Sequence, residues 1–137
     1  MNVLATDLGA VETGTRLPPL SLPPITRATL ALFAGASGDT NTIHIDLDVA
    51  RSAGFEDVFA QGMLSMAYLG RLLTGWVPQE RIVSYGVRFA AITPVHGQPT
   101  CTGVVTAVAD GVATVDLKVA LADDTVTMTG QARVRIG

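Results

Sequence analysis

The stretch Gly62–Thr74 gives a helix almost no polar face. Met63, Leu64, Met66, Ala67, Leu69, Leu72 and Leu73 point to every side of it, and only Ser65, Tyr68 and Arg71 interrupt them. Such a helix needs cover nearly all round, because apolar surface taken out of water is worth roughly 25 cal/mol per Å². Gly75 and Pro78 mark its end. A chain of 137 residues is long enough to wrap one buried helix within one domain.

The cover comes from the C-terminal half. After residue 80 the hydrophobic period becomes two. Val83, Tyr85, Val87 and Phe89 alternate with Ser84, Gly86 and Arg88, and Val126, Met128, Gly130, Ala132, Val134 and Ile136 alternate with polar neighbours. Strand-like runs near 99–109 and 112–122 lie between them. Asp110-Gly111 is a hairpin signal, and Asp123-Asp124 marks the next turn. This half reads as an antiparallel meander of about four strands.

Residues 1–25, with Pro18, Pro19, Pro23 and Pro24, read as an extended lead-in holding a short edge strand near Leu20. Thr26 is placed to cap a helix running through Leu30 and Phe33 to about Ala36. Asp46 or Leu47 opens a second, short helix that Gly54 stops. The whole predicts an α+β fold: a curved antiparallel sheet of about five strands around one central helix, as one domain over residues 1–137. The sheet edge left unpaired is expected to join a second copy, giving a homodimer or higher homo-oligomer.

Composition narrows the function. The net charge is −3 and the nine basic residues are scattered, which argues against nucleic acid as a partner. No apolar run is long enough to span a bilayer, and Met1–Gly14 has no basic start followed by an apolar stretch. A cytoplasmic protein without a membrane partner is the expectation. The single cysteine, Cys101, lies in an apolar strand-like run and is expected to be an inert, buried thiol.

One polar segment interrupts this pattern with chemistry. Ser37-Gly38-Asp39-Thr40-Asn41-Thr42-Ile43-His44 places an Asp and one of only two histidines five residues apart. Asp and Asn between helices commonly form turns and caps, so that role stands beside any catalytic one. The pair is also suited to general acid–base work near neutral pH. A metal site is not expected. A calcium loop counted from Asp39 needs Gly and Glu where His44 and Ala50 stand, and no cysteine pair or second nearby His supports zinc.

The segment, the central helix and the strand pattern together resemble the MaoC-like dehydratases and (R)-specific enoyl-CoA hydratases, a hotdog-fold family. The matching residues are Gly38-Asp39, Asn41 and His44, with Ala50 six positions on. Gly62-Met63-Leu64 opens the central helix, and Val87-Arg88-Phe89 runs ahead of Pro94-Val95. Two positions depart from the pattern: Thr42 stands where Pro is usual, and Gln61 where His commonly precedes the helix glycine.

The resemblance implies reversible hydration of trans-2-enoyl thioesters to (R)-3-hydroxyacyl thioesters, with coenzyme A or an acyl carrier protein as the thioester carrier and no cofactor. It implies that Asp39 is the general base, that His44 orients the water and assists proton transfer, and that Asn41 braces the loop. The Gly62 N–H, at a helix N-terminus, is the expected oxyanion donor. Ser65 is a candidate to face the acyl tunnel, and Arg88 (with Arg71 and Arg81) to meet carrier phosphates. The alternatives are a hotdog acyl-thioesterase, in which a carboxylate and water attack the thioester carbonyl, and a subunit of a heteromeric dehydratase.

Overall fold

A computed structural model of the protein describes residues 7–137; the first six residues of the proline-rich lead-in lie outside them. In chain order the elements are β1 (Leu20–Ser21), α1 (Arg27–Ser37), α2 (Leu47–Ser52), α3 (Gly62–Trp76), β2 (Ile82–Phe89), β3 (Thr100–Ala109), β4 (Val112–Ala120) and β5 (Val126–Arg135). The five strands form one antiparallel sheet in the order β1-β3-β4-β5-β2.

Only part of the expected meander holds. β3, β4 and β5 follow each other through tight turns, and Asp110 and Gly111 both take positive φ, at 53° and 73°. β2 does not pair with β3. It lies against β5, with Tyr85 opposite Ala132 and Phe89 opposite Met128. Residues 90–99 carry the chain from β2 to the far side of the sheet. They are held on the way by Ala60 N–H to the Thr93 carbonyl at 2.8 Å and Ile25 N–H to the Gly97 carbonyl at 2.9 Å.

The core follows from the strand period. Cys101, Val105, Val115, Val119, Met128, Ala132 and Val134 face α3 and pack on Leu69, Leu72, Leu73 and Trp76. Each large aliphatic side chain buried there contributes about 1.5–3 kcal/mol. The Tyr85 hydroxyl donates to the Met66 carbonyl at 2.7 Å and ties β2 to the middle of α3; burial pushes this phenol's pKa up.

The single chain does not give this helix the all-round cover that its composition calls for. Met63, Ala67, Arg71 and Thr74 are exposed within the single chain. It also runs through Gly75 to Trp76, whose ring is buried. Burying Trp76 against the sheet outweighs the roughly 1 kcal/mol that a helical glycine costs.

A second, smaller core lies at the N-terminal end of α3. Ile25, Leu30, Ala50, Val58, Ala60, Leu64 and Val95 meet there, so α1 and α2 close over the start of the central helix. Thr26 caps α1 through a reciprocal pair with Thr29, and Gly38 ends it in the left-handed region at φ 79°. Asp46 caps α2, its side chain accepting from the N–H groups of Asp48 and Val49. Arg27 donates through both terminal nitrogens to Asp57, at 2.9 and 2.7 Å, and links α1 to the segment that leads into α3. No described helix is long and apolar enough to cross a membrane.

Candidate active site

The polar loop is shaped by its own side chains. The Asp39 carboxylate accepts from Asn41 N–H at 3.3 Å, and the Asn41 side chain accepts from Ile43 N–H at 3.2 Å. These two turns start a short 3-10 segment, Thr42–His44, which carries the His44 ring inward. There its Nδ1 lies 2.8 Å from the Phe59 carbonyl oxygen, and the ring meets the Phe59 ring edge-on at 5.0 Å between centroids. A carbonyl can only accept, so Nδ1 is the donor. In the neutral imidazole Nε2 is then the free acceptor.

His44 lines a cavity of about 340 Å³ whose walls are mostly apolar. It is also lined by Phe59 and Ala60, by Phe89 to Thr93, by Thr127 and Met128, and by Gly62 and Ser65 of α3. Ser65 and Thr127 are both buried. Strict alternation along β5 would place Thr127 outside and Met128 inside. A bulge pairs Ala120 with Val126 and Val119 with Met128, so Thr127 is the extra residue. Its carbonyl accepts from Ala90 and Ala91 at 2.9 and 3.1 Å, fixing the start of the crossover beside the cavity.

Gly62 opens α3, and no side chain caps that end. The first N–H groups of a helix have no intrahelical acceptor, and the dipole favours negative charge there. The His44 ring and the first residue of α3 thus line one mostly apolar cavity.

Of the residues singled out from sequence, His44, Gly62 and Ser65 come together in this cavity. Asn41 sits in the loop as its brace. Asp39 is half-buried at the start of that loop and is not part of the cavity wall. Arg88 is exposed on β2 and lies along a separate groove with Ser84, Tyr85 and Gln131. Phe59, Thr127 and Met128 escaped sequence reasoning. Phe59 acts through its backbone carbonyl, which has no residue-type signature, and a bulge does not disturb the composition of a strand. Among the described residues, no three His, Cys, Asp or Glu side chains stand close enough to hold a metal ion.

A histidine and the uncapped N-terminus of the central helix line one cavity against a five-stranded antiparallel sheet, the arrangement of a hotdog-fold protein. The chain belongs to the family described as MaoC like domain, whose model matches residues 13–129. It is 32% identical to the (R)-specific enoyl-CoA hydratase of Rhodospirillum rubrum over 82 residues, 60% of this chain and 57% of that protein. It is 31% identical to the 3-hydroxyacyl-thioester dehydratase Z of Mycobacterium tuberculosis over 110 residues, 76% of this chain and 72% of that one. A crystal structure of the ChsH1-ChsH2 complex from Mycobacterium tuberculosis superposes with a TM-score of 0.81 at 27% identity, covering 92% of this chain and 98% of the matched chain.

Proposed function

We propose that this protein is a hydro-lyase that reversibly adds water across the double bond of a trans-2-enoyl thioester to give the (R)-3-hydroxyacyl thioester. The observation that carries this reading is the juxtaposition of the free His44 Nε2 with the uncapped α3 N-terminus in one apolar cavity. The similarity to an enoyl-CoA hydratase and a hydroxyacyl-thioester dehydratase supports it.

In the hydration direction, water's oxygen bonds to C3 while a base removes its proton. The C2–C3 π electrons shift toward the thioester, whose oxygen gains negative charge against Gly62 N–H. C2 then takes up a proton, so that H and OH have been added in total. His44 Nε2 is the acceptor that faces the cavity. Asp39 stands five residues earlier in the same loop and shares the water with His44 as the second member of the pair. Asn41 holds the loop in shape, and Ser65 contacts the acyl group. The carrier is coenzyme A or an acyl carrier protein, with Arg88 a candidate for its phosphates. No step needs a resident cofactor.

A second copy joins along β2. This strand is at the sheet edge, and exposed Val83 on it and Met63 on α3 offer apolar surface beside it, 47% and 54% exposed.

The test is the absorbance of a crotonyl thioester on adding the purified protein, with His44→Ala and Asp39→Asn as variants. Hydration should proceed in the parent and fall by about 10²-fold or more in His44→Ala, within the range that general acid–base catalysis supplies. Full activity in Asp39→Asn would remove Asp39 from the mechanism. Release of free thiol without loss of the enoyl absorbance would make the protein a thioesterase instead.

A further inference from the structure

Phe89 ends β2 and lines the same cavity as His44. Its ring lies against the first residue of α3: a Cβ built on Gly62 would stand 2.7 Å from Phe89 Cε1 and 3.0 Å from Cδ1. Among the described residues, no other glycine has a side-chain carbon this close to that position. The ring therefore occupies the space beside the N–H that receives the thioester oxygen. C2 of an enoyl thioester is two bonds from that oxygen. When the oxygen reaches Gly62 N–H at hydrogen-bonding distance, C2 and its substituents enter the space that Phe89 borders.

On the reading above, we propose that Phe89 selects the substrate by its substitution at C2, admitting 2-enoyl thioesters that carry only hydrogen there and rejecting 2-methyl ones. A methyl group on C2 competes with the ring for this space, whereas an unbranched enoyl group does not. Phe89 is 57% exposed, so shortening it removes the obstacle without emptying the core. The neighbouring wall residues Ala60, Ala90 and Ala91 are already small. Phe89 is the bulky side chain that meets a Cβ built on Gly62.

The experiment compares hydration of a crotonyl and a 2-methylcrotonyl thioester on one carrier by the parent, Phe89→Leu and Phe89→Ala. The readout is the ratio of kcat/KM values, which cancels the lower intrinsic reactivity of the branched enoyl when variants are compared. Phe89→Ala should shift the ratio toward the branched substrate by about tenfold or more, the range over which pocket contacts discriminate a methyl group, and Phe89→Leu by less. Melting temperatures of the three proteins establish that each is folded. An unchanged ratio in folded Phe89→Ala, with crotonyl hydration retained, overturns the role of Phe89 and leaves the hydratase reading intact. Failure of the parent to hydrate either thioester overturns both.

Discussion

Replacing Gln61 with Leu should leave the protein as stable as the parent or more stable. Gln61 is 1% exposed and sits just before α3, whose N-terminus is the proposed oxyanion donor. Its Nε2 donates to the Leu30 carbonyl at 3.1 Å. Its Oε1 is buried and receives no hydrogen bond from the described residues. The donated bond contributes about 0.5–1.5 kcal/mol net, while a buried acceptor without a donor costs about 1–3 kcal/mol. Leu30 lies inside α1, so its carbonyl keeps its helical partner when the amide is removed. The Gln61 side chain is buried beside α1, next to Leu30 of the smaller apolar core, so a Leu there stays out of water. The lost acceptor outweighs the lost bond, and the variant should gain about 0–2 kcal/mol. In a chain of this size each kcal/mol moves the melting temperature by about 3–5 °C. Thermal and urea unfolding of Gln61→Leu, with Gln61→Ala as a control that leaves a cavity and costs about 2 kcal/mol, measure this directly. Destabilisation of Gln61→Leu by more than about 1 kcal/mol would refute the reasoning, since it means Oε1 has a partner in solution. If the variant is stable but hydrates its thioester slowly, Gln61 is retained for setting the start of α3 at a cost in stability.

The remaining predictions concern Gly62, one ion pair and the thiol. Gly62→Ala keeps its backbone N–H but brings a methyl group to within 2.7 Å of the Phe89 ring; kcat/KM should fall at least about tenfold and recover most of that loss in Gly62→Ala/Phe89→Ala. Failure to recover would mean that substrate itself, and not Phe89, requires the missing Cβ. The Arg27 guanidinium, bonded to the Asp57 carboxylate, holds that carboxyl below its ordinary range. A depressed folded-state pKa gives stability that is present above the unfolded value and lost as pH falls through the folded one. The melting-temperature gap between the parent and Asp57→Asn should therefore be small at neutral pH, as befits an exposed pair, and should close in acid. Burial pushes the Cys101 thiol up to about 11. At pH 8 it should react with a thiol reagent only after denaturation, and rapid labelling of the native protein would contradict its place between the sheet and α3.

What could be read from the sequence, and what could not, follows the range of each interaction. The caps at Thr26 and Asp46 and the hairpin turn at Asp110-Gly111 depend on residues within a few positions of each other, and they stand where the sequence puts them. The central helix was legible because its apolar residues leave it no solvent face, although the single chain exposes Met63 and Ala67. Where the single chain leaves the helix open has no local signature. Pairing of β2 with β5 rather than β3 is decided by the crossover at residues 90–99, where the constraint is the backbone contact of Ala60 with Thr93. The same distinction divides the site. His44 was found by residue type, and Gly62 by helix position. The Phe59 carbonyl that fixes the His44 tautomer, and the bulge that turns Thr127 inward, act through backbone geometry. These backbone devices decide what the site can do. A neutral histidine whose Nδ1 donates to a carbonyl presents an acceptor at Nε2, whereas one whose Nδ1 accepted from a donor would present an N–H at Nε2. The loop motif selects the residue, and the segment before α3 selects its chemical role.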